Sequence, residues 1–301
     1  MRAVVGVVGL GIMGGAIARN LGAAGWQVFG FDTDRRRQAE LVGQGIQDAA
    51  SVAELAERAQ IIISSLPTAS AVHCTMLAIA AVTGRKVIIE SSTLSLEDKL
   101  EVKKTLYAAG HIALDCPISG TGAQAVVKDL VVYASGDSGA IATLRPLLLG
   151  FSRRVYDLGE FGNGSRMKFV ANLLVAIHNV AAAEAMVLAT RARLDPHKVV
   201  ELVSAGAGTS RVFELRAPPM AEGRYECATM KLSVWQEDLA IISKFANGLD
   251  SPIPLLSATL PLYAAAIARG HGDHDTASVF TVLEHMAGAG RGTDWSRPVA
   301  P

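Results

Sequence analysis

The sequence predicts two domains: an α/β domain built on a parallel, doubly wound sheet, followed by an all-α domain, with a long helix joining them. Two observations predict this fold class. From residue 3 to about residue 159, short apolar runs rich in β-branched residues alternate with helical patterns, as in βαβ units. After Gly162-Asn163-Gly164, residues 165–193 contain neither Gly nor Pro and are rich in Ala, Leu and Met, which predicts one helix. We therefore predict domains at 1–161 and 162–301.

The first domain opens on a strand, a glycine-rich turn and a helix. Residues 3–8 are apolar, and a helix is predicted from about Met13 to Ala24. In the turn, Gly9 permits a sharp bend, Gly11 lets backbone amides approach a pyrophosphate, and Gly14 lets helix and strand pack closely. The alternative is a purely structural glycine turn. The position favours a Rossmann dinucleotide-binding domain, whose cofactor contacts would be Gly9, Leu10, Gly11, Ile12, Met13 and Gly14.

Asp32 ends the second predicted strand, 18 positions beyond Gly14. A carboxylate at this place accepts hydrogen bonds from the ribose hydroxyls of NAD and repels the 2′-phosphate of NADP. Arg35, Arg36 and Arg37 follow, and an arginine there can hold that phosphate instead. Otherwise, these arginines form a solvated first turn of the next helix. The sequence therefore favours NAD as the cofactor and leaves NADP open.

Loops that follow the later strands are further candidates, because doubly wound sheets bind ligands at the carboxyl ends of their strands. Leu66 and Pro67 follow a predicted strand at 61–64, and Thr93 follows one at 86–89, so these three residues are candidate cofactor contacts. The next such loop, residues 115–122, reads Asp-Cys-Pro-Ile-Ser-Gly-Thr-Gly. Its consecutive donors are the Ser119 hydroxyl and the amides of Gly120 and Thr121, and they suit a carboxylate group.

Composition excludes several classes of function. The chain has 301 residues, half of them hydrophobic and 19% charged, with a formal net charge of zero. It therefore has no basic field for nucleic acid and no polybasic membrane anchor. An apolar run at 173–189 contains His178 and Glu184, which argues against a membrane span. Three cysteines without metal-type spacing predict reduced thiols in or near the core, and no export signal is recognised, so we expect a cytoplasmic protein without a metal.

The long predicted helix carries one polar stripe. Lys168 and Asn172 are four residues apart, and Asn179 lies seven further on, so the three side chains share a face. An apolar stripe of Met167, Val170, Leu174, Ile177 and Ala181 lies opposite. From spacing alone, Lys168 is an ordinary solvated lysine. A lysine buried beside a cofactor domain can instead exchange a proton with a substrate hydroxyl, if burial or a nearby cation lowers its pKa toward neutrality.

Four stretches match the pattern of one family in order and spacing: the glycine turn, Asp115 to Gly120, Gly162 to Asn172, and Glu237-Asp238-Leu239. Together they resemble the β-hydroxyacid dehydrogenases, a group that includes 3-hydroxyisobutyrate dehydrogenase and tartronate semialdehyde reductase, with 6-phosphogluconate dehydrogenase as a longer relative. The resemblance covers essentially the whole chain. Within the group, residues 204–214 and 275–279 look most like the L-threonate dehydrogenase branch.

The resemblance implies roles for several residues. Lys168 matches the catalytic lysine, Asn172 matches a substrate-binding asparagine, and Thr93 matches a cofactor contact. The loop of Ser119, Gly120 and Thr121 matches the site of the substrate carboxylate, although the family usually has glycine where Thr121 stands. Glu237 takes the place of a lysine that contacts the cofactor, which puts that contact in doubt.

The predicted function is therefore an NAD(P)-dependent dehydrogenase or reductase of a small hydroxy carboxylic acid, of the 3-hydroxyisobutyrate, threonate or glycerate type. Hydride passes to the nicotinamide while Lys168 acts as general acid and base. Two alternatives stay open: an NADPH-dependent semialdehyde reductase with the same fold, and a non-catalytic dinucleotide-binding assembly module.

Other candidates have simpler interpretations. His178 lies about 80° around the helix from the stripe of Lys168, which favours a packed core or interface histidine. The polar segment 271–275, which reads His-Gly-Asp-His-Asp, is expected to be a loop rather than a metal cluster. Arg211 and Arg216 could assist an acidic substrate or be solvated or ion-paired. The apolar surface of the helical domain predicts a homodimer or homotetramer.

Overall fold

The computed structural model describes residues 3–288 of the chain. It separates into two compact units, Met1–Val170 and Ala171–Pro301. The long predicted helix is present as α8 (Asn163–Arg191) and contains the point at which the units divide. The domain boundary predicted after residue 161 falls just before this helix and stays a prediction.

The first unit is built on a six-stranded parallel sheet with the order β3-β2-β1-β4-β5-β6. Its strands are β1 (Val5–Val8), β2 (Val28–Phe31), β3 (Gln47–Asp48), β4 (Ile61–Ser64), β5 (Val87–Glu90) and β6 (Ile112–Asp115). The order reverses between β1 and β4, which pair in parallel from Val5↔Ile61 to Val8↔Ser64. Such a reversal opens a crevice at the carboxyl ends of the two strands, and this is where doubly wound sheets bind ligands. The predicted Rossmann fold is confirmed.

Seven helices complete the described part of this unit: α1 (Ile12–Ala23), α2 (Arg35–Val42), α3 (Val52–Arg58), α4 (Ala69–Ala80), α5 (Leu96–Ala108), α6 (Gly122–Val126) and α7 (Ser138–Phe151). Most begin at a residue that the sequence marks as a cap. The side chains of Asp34, Ser51, Thr68 and Ser95 each accept a hydrogen bond from a backbone N–H of the first turn that follows. Local capping therefore fixes where the helices start against the sheet.

Two hydrophobic clusters lie in the first unit. One contains Ile17, Leu21 and Ile63, and the other contains Leu55 and Ile62. Neighbouring residues of β4 thus belong to different clusters, because side chains alternate between the two faces of a strand. A parallel sheet covered on both faces reads as a continuous apolar run, which is why these strands could be recognised from the sequence.

A small second sheet extends the first unit. It has the order β7-β8-β9 and consists of β7 (Ile118–Ser119), β8 (Val131–Ala134) and β9 (Arg154–Asp157). We expected residues 115–122 to be a loop, whereas they contain β7 and the start of α6. The strand β7 is only two residues long and is held by antiparallel pairing with β8, Ile118↔Val132 and Ser119↔Val131. A strand this short has no periodicity that the sequence could reveal.

The second unit is helical as predicted. Beyond α8 it contains α9 (Pro196–Ala205), α10 (Arg211–Glu222), α11 (Leu232–Asn247), α12 (Pro254–Ala266) and α13 (Phe280–Met286), with a π-helical turn at 267–271 and a 3-10 turn at 276–279. The sequence suggests that α10 ends at Ala217, because Pro218 and Pro219 follow. The helix instead continues through both prolines to Glu222 and is capped by Gly223 in the left-handed conformation, with φ 69°, while the buried Met220 anchors its last turn.

The three cysteines were expected to be reduced thiols in or near the core. All three cysteines are free thiols, but only Cys116 is buried, while Cys74 and Cys227 are exposed. The expectation of core or near-core cysteines was therefore wrong for those two.

Among the described residues, α8 alone is long and apolar enough to cross a bilayer by length and composition. One such helix is weak evidence for a membrane span, because the core helix of a soluble protein passes the same test.

Candidate active site

The glycine-rich turn lies between β1 and α1 at the reversal of the strand order. A Cβ on Gly14 would lie 1.8 Å from the backbone oxygen of Gly9, so only glycine permits this close packing. Around Gly11, by contrast, the nearest atom to an added Cβ is Arg37 Nη1, at 3.6 Å. No side chain caps α1, so the first-turn amides from Ile12 onward have no side-chain acceptor. An open backbone at an uncapped helix N-terminus fits a pyrophosphate group.

The side chains around the turn divide between core and surface. Leu10 is buried, and Met13 is partly buried against the hydrophobic cluster. Ile12 is exposed over 54% of its surface, which leaves an apolar side chain at the mouth of the turn. The turn therefore rests on Leu10 and Met13, while the Ile12 side chain is exposed and the backbone around Gly11 is open.

Asp32 stands directly after β2 and is buried against the turn. Its Oδ2 accepts a hydrogen bond from Leu10 N at 2.7 Å, and its Oδ1 accepts one from Asp34 N at 2.8 Å. The exposed guanidinium of Arg37 lies 3.6 Å from Asp32 Oδ2. Both carboxylate oxygens thus hold backbone amides, although each keeps a second lone pair for a further donor. The structure brings the glycine turn, Asp32 and one of the three predicted arginines together.

The candidates after β4 and β5 also lie at the carboxyl ends of their strands. Leu66 and Thr93 are half-buried, and Pro67 is exposed. The backbone N–H of Leu66 donates to Ser92 Oγ at 3.0 Å, which joins the two loops. Ser92 was not among the predicted residues, and its part is to hold neighbouring cofactor candidates in register.

The predicted carboxylate loop begins at the end of β7. Gly120 has φ 139°, a conformation that residues with a side chain rarely adopt, and an added Cβ would lie 2.5 Å from the Leu130 side chain. Thr121 starts α6 in a capping box: its N–H donates to Gln124 Oε1 at 3.0 Å, and its Oγ1 accepts from Gln124 N at 3.5 Å. The Thr121 amide, predicted as a carboxylate donor, is therefore engaged by Gln124. The Ser119 hydroxyl and the Gly120 amide stay candidates.

Lys168 is buried, with 7% of its surface exposed, so the interpretation of a solvated lysine is wrong. It lies on the second turn of α8, and its Nζ donates to the backbone oxygen of Ile118 at 2.6 Å. Ile118 immediately precedes Ser119 in β7. The structure therefore places the amino group of Lys168 against the strand that leads into the carboxylate loop.

Two predicted residues belong to the second unit. Asn172 is buried, and its Nδ2 donates to Asp238 Oδ2 at 3.0 Å. This contact fixes the orientation of the Asn172 amide group. Glu237 precedes Asp238 on α11 and is exposed. The sequence pointed to Asp238 only as a member of the Glu237-Asp238-Leu239 motif, and its hydrogen bond with Asn172 was not predicted.

The weaker candidates have structural partners. Arg216 is buried and its Nη1 contacts both oxygens of Asp275, at 2.6 and 2.7 Å. Arg211 is exposed and pairs with Glu214 at 3.0 Å. His178 is half-buried, as a packed histidine would be.

The polar segment 271–275 contains a histidine pair. The Nδ1 atoms of His271 and His274 are 2.8 Å apart, and His271 Nε2 lies 3.1 Å from Thr281 Oγ1. Burial, with smaller contributions from His274 and Arg269, lowers the pKa of His271. Within residues 3–288, no three His, Cys, Asp or Glu side chains are grouped to hold a metal ion.

The sequence also missed a group of buried charges below the loops. Lys99 on α5 lies between Glu90 and Asp115, the last residues of β5 and β6. The available signal was the spacing of Lys99, Val102 and Leu106, which places a lysine on the buried face of α5. Burial raises the pKa of the adjacent Cys116 thiol, and the Asp115 carboxylate raises it further, so this cysteine is no nucleophile.

Comparison with known families covers almost all of the chain. Residues 4–159 match the model of the NAD binding domain of 6-phosphogluconate dehydrogenase. Residues 162–283 match the model described as NAD-binding of NADP-dependent 3-hydroxyisobutyrate dehydrogenase. The two matches follow one another along the chain in the order that the sequence predicted.

Individual relatives align over the same length. An L-threonate dehydrogenase of Cupriavidus necator is 30% identical over 284 residues, which is 93% of this chain and 95% of the relative. Glyoxylate/succinic semialdehyde reductase 2 of Arabidopsis thaliana is 28% identical and aligns with 93% of this chain and 79% of its own length. The crystal structure of a 3-hydroxyisobutyrate dehydrogenase from Salmonella typhimurium superposes with a TM-score of 0.86 at 31% identity, covering 93% of this chain and 100% of that one.

Proposed function

The chain belongs to the β-hydroxyacid dehydrogenase family, and from this premise we propose that it oxidises a small hydroxy acid of the threonate type, with NAD as the preferred cofactor and Lys168 as the general acid and base. In general terms, the chain is an NAD(P)-dependent oxidoreductase that acts on the CH–OH group of a small hydroxy acid. The threonate type is favoured by the relatives named L-threonate dehydrogenase and by residues 204–214 and 275–279.

The observation that carries the proposal is the position of the Lys168 amino group. It is buried and lies 2.6 Å from the backbone oxygen of Ile118, one residue before Ser119. An amino group held there can accept the proton of a substrate hydroxyl during oxidation and return it during reduction. When bound, the nicotinamide supplies the acceptor or donor of hydride.

The substrate carboxylate is proposed to lie on the loop at 119–121. The Ser119 hydroxyl and the Gly120 amide are its donors, while the Thr121 amide stays in its capping box with Gln124. Asn172 lies one turn beyond Lys168 on α8 and supplies a further polar contact to the substrate. Asp238, which holds the Nδ2 of Asn172, sets which part of that amide is presented.

The first experiment measures turnover of threonate, glycerate, 3-hydroxyisobutyrate and 3-hydroxypropionate, each with NAD and NADP, for the natural protein and for Lys168→Ala. We expect Lys168→Ala to lower kcat by about 10²- to 10⁴-fold and to leave dinucleotide affinity within several-fold. The matched control is Lys86→Ala, because Lys86 is equally buried but lies before the amino end of β5. Activity of Lys168→Ala above about a tenth of the natural level would exclude a general acid/base role for this residue.

A second candidate function is reduction of a semialdehyde with NADPH. It is favoured by the similarity to glyoxylate/succinic semialdehyde reductase 2. Measuring the reduction of glyoxylate and succinic semialdehyde under the same conditions separates the two. A kcat/KM for a semialdehyde with NADPH that exceeds every value for hydroxy-acid oxidation with NAD would favour the reductase.

The preference for NAD is proposed to depend on Asp32, with Arg37 opposing it. The Asp32 carboxylate repels a 2′-phosphate, whereas the Arg37 guanidinium 3.6 Å away attracts one. Arg37→Ala should therefore lower kcat/KM with NADP several-fold and leave the value with NAD nearly unchanged. Arg36→Ala, which removes an exposed arginine from the same helical turn, is the control. If the natural protein already prefers NADP, the role of Asp32 is wrong.

We further propose a cytoplasmic homo-oligomer. Met167, Val170 and Leu174, three members of the apolar stripe predicted opposite Lys168, are each at least 38% exposed, and Leu188 further along α8 is exposed as well. An apolar stripe on a long helix is typical of a surface that associates with another subunit. Three free thiols agree with a reducing compartment. Light scattering after gel filtration tests the assembly: a monomer at micromolar concentration would contradict it.

A further inference from the structure

Three charged side chains with no exposed surface form a network in the first unit. Lys99 on α5 donates to the carboxylate of Glu90, and its Nζ lies 3.0 Å from Asp115 Oδ1. Burial on its own would lower the pKa of Lys99, but the Glu90 and Asp115 carboxylates more than offset this effect and raise it. Lys99 therefore carries its charge throughout the neutral range. It holds two carboxylates in place and does not exchange protons with a substrate.

Asp115 extends the network to the first turn of α8. Its Oδ2 accepts from Ser165 N at 2.8 Å, and its Oδ1 accepts from Ser165 Oγ at 2.8 Å. Ser135 Oγ lies 3.3 Å from Asp115 Oδ2 and accepts from Gly164 N at 2.9 Å. The first amides of a helix have no partner within the helix. Here Asp115, fifty positions earlier, accepts from Ser165 N, and the Ser135 hydroxyl accepts from Gly164 N. Asp115 therefore ties the end of β6 to the start of α8.

Glu90 extends the network to the cofactor loops. Its Oε1 accepts from Ser92 N at 2.9 Å and lies 3.3 Å from Ser64 Oγ. Ser92 in turn accepts from Leu66 N at 3.0 Å through its hydroxyl oxygen. One buried lysine thus connects the loops after β4 and β5, the end of β6, and the turn of α8 that precedes Lys168.

We propose that the network of Lys99, Glu90, Asp115 and Ser165 positions Lys168 for proton transfer. Buried ion pairs add little net stability compared with apolar side chains of the same size, so stability alone is a weak reason for burying three charges. Charge-assisted hydrogen bonds do fix geometry. Ser165 lies three residues before Lys168, so a shift of the first turn of α8 moves the amino group by a similar amount. The proposal rests on the proposed role of Lys168.

Two variants test this positioning role. Asp115→Asn keeps the size of the side chain but removes its charge, and Ser165→Ala removes one hydrogen bond without adding atoms. We expect kcat to fall by about 10²-fold in Asp115→Asn, because a misplacement of about 1 Å costs this much. The expected fall is about tenfold in Ser165→Ala, because Ser165 N keeps its hydrogen bond to Asp115. KM and the Kd for the dinucleotide should stay within about threefold, since neither residue is among the proposed substrate or cofactor contacts. The matched control is Ser152→Ala, which removes a buried hydroxyl bound to Leu148 O at the end of α7.

Hydrogen exchange of the amides at 162–170 supplies a readout that does not depend on activity. Both variants should exchange faster in this segment, and Ser152→Ala should not. Normal kcat in both variants, with or without a lower Tm, would overturn the positioning role and leave only a structural one. Ser165→Ala keeps the test valid if Asp115→Asn does not fold. If the proposed role of Lys168 is wrong, the result is different. Lys168→Ala would then keep its turnover, while hydrogen exchange at 162–170 would still be faster in Asp115→Asn and Ser165→Ala than in the natural protein.

Discussion

Tyr263 on α12 offers a sharp test of how the second unit is stabilised. The side chain is fully buried, its hydroxyl donates to Ala176 O at 2.9 Å, and it accepts from Asn179 Nδ2 at 3.0 Å. Burial raises the pKa of Tyr263 to about 12. The folded protein therefore keeps the phenolic proton at pH values where an unfolded chain has released it.

The magnitude follows from the difference in pKa. An ordinary tyrosine has a pKa of about 10, so the difference is about two units, which corresponds to roughly 3 kcal/mol of free energy of unfolding. The folded-state pKa is the higher one, so this contribution is fully present below about pH 10. It is lost progressively as the pH rises from about 10 to about 12, because the unfolded state then binds fewer protons than the folded state.

The assay is urea unfolding between pH 8.5 and pH 11.5 with tryptophan fluorescence as the signal, since Trp235 packs against Tyr263 with ring centroids 6.4 Å apart. At pH 8.5, Tyr263→Phe should be less stable than the natural protein by about 1–3 kcal/mol, because Ala176 O and Asn179 Nδ2 each lose one buried hydrogen-bond partner. The difference should shrink as the pH rises through the window. Tyr107→Phe is the control, because Tyr107 is 77% exposed and should show no effect. A stability difference that stays constant with pH would refute the reasoning.

Three further predictions concern the glycine turn, a buried ion pair and the acidic departure from the family. Gly14→Ala should lower the free energy of unfolding by about 1–3 kcal/mol in urea titrations, because the new Cβ would lie 1.8 Å from the Gly9 backbone oxygen. Gly11→Ala should leave this free energy unchanged but weaken the binding of NAD measured by calorimetry. Arg216→Met should cost about 3–5 kcal/mol in the same titrations, because it leaves the buried Asp275 carboxylate without its cation; a loss below about 1 kcal/mol would contradict this. Glu237→Lys should tighten NAD binding several-fold if the family contact can be restored, and an unchanged Kd would argue against that contact.

Elements with strong local signals could be predicted from the sequence. The strand predicted at 61–64 begins and ends at those residues as β4, between Gln60 and Ser65. A helix is also expected at 196–205 because Asp195-Pro196 is a typical helix start, and α9 has these bounds, with Asp195 accepting from His197 N. What the sequence could not reveal depends on pairing between distant segments. The strand β7 exists only because β8 lies beside it, and α10 continues past its prolines because Met220 is buried.

Parts of the candidate site could also be recognised from the sequence, whereas its contacts between distant residues could not. The glycine turn and Asp32 stand out because residue type and spacing carry the signal. Spacing alone made Lys168 a solvated lysine, and the family resemblance was needed to single it out. The engagement of the Thr121 amide by Gln124, and the partnership of Asn172 with Asp238, depend on which side chains meet in the folded chain. A single sequence contains the members of such pairs without saying that they are paired.

The two hydrogen bonds that Asp32 accepts from the backbone have a consequence for how cofactor use can change in evolution. The same carboxylate that would select against a 2′-phosphate also holds the amides of Leu10 and Asp34. A lineage that replaced it with a neutral or smaller residue would loosen the glycine turn at the moment it gained access to another cofactor. Substitution at the exposed Arg37 carries no such penalty. Drift in cofactor preference should therefore begin at Arg37 and reach Asp32 only after the turn has acquired other support.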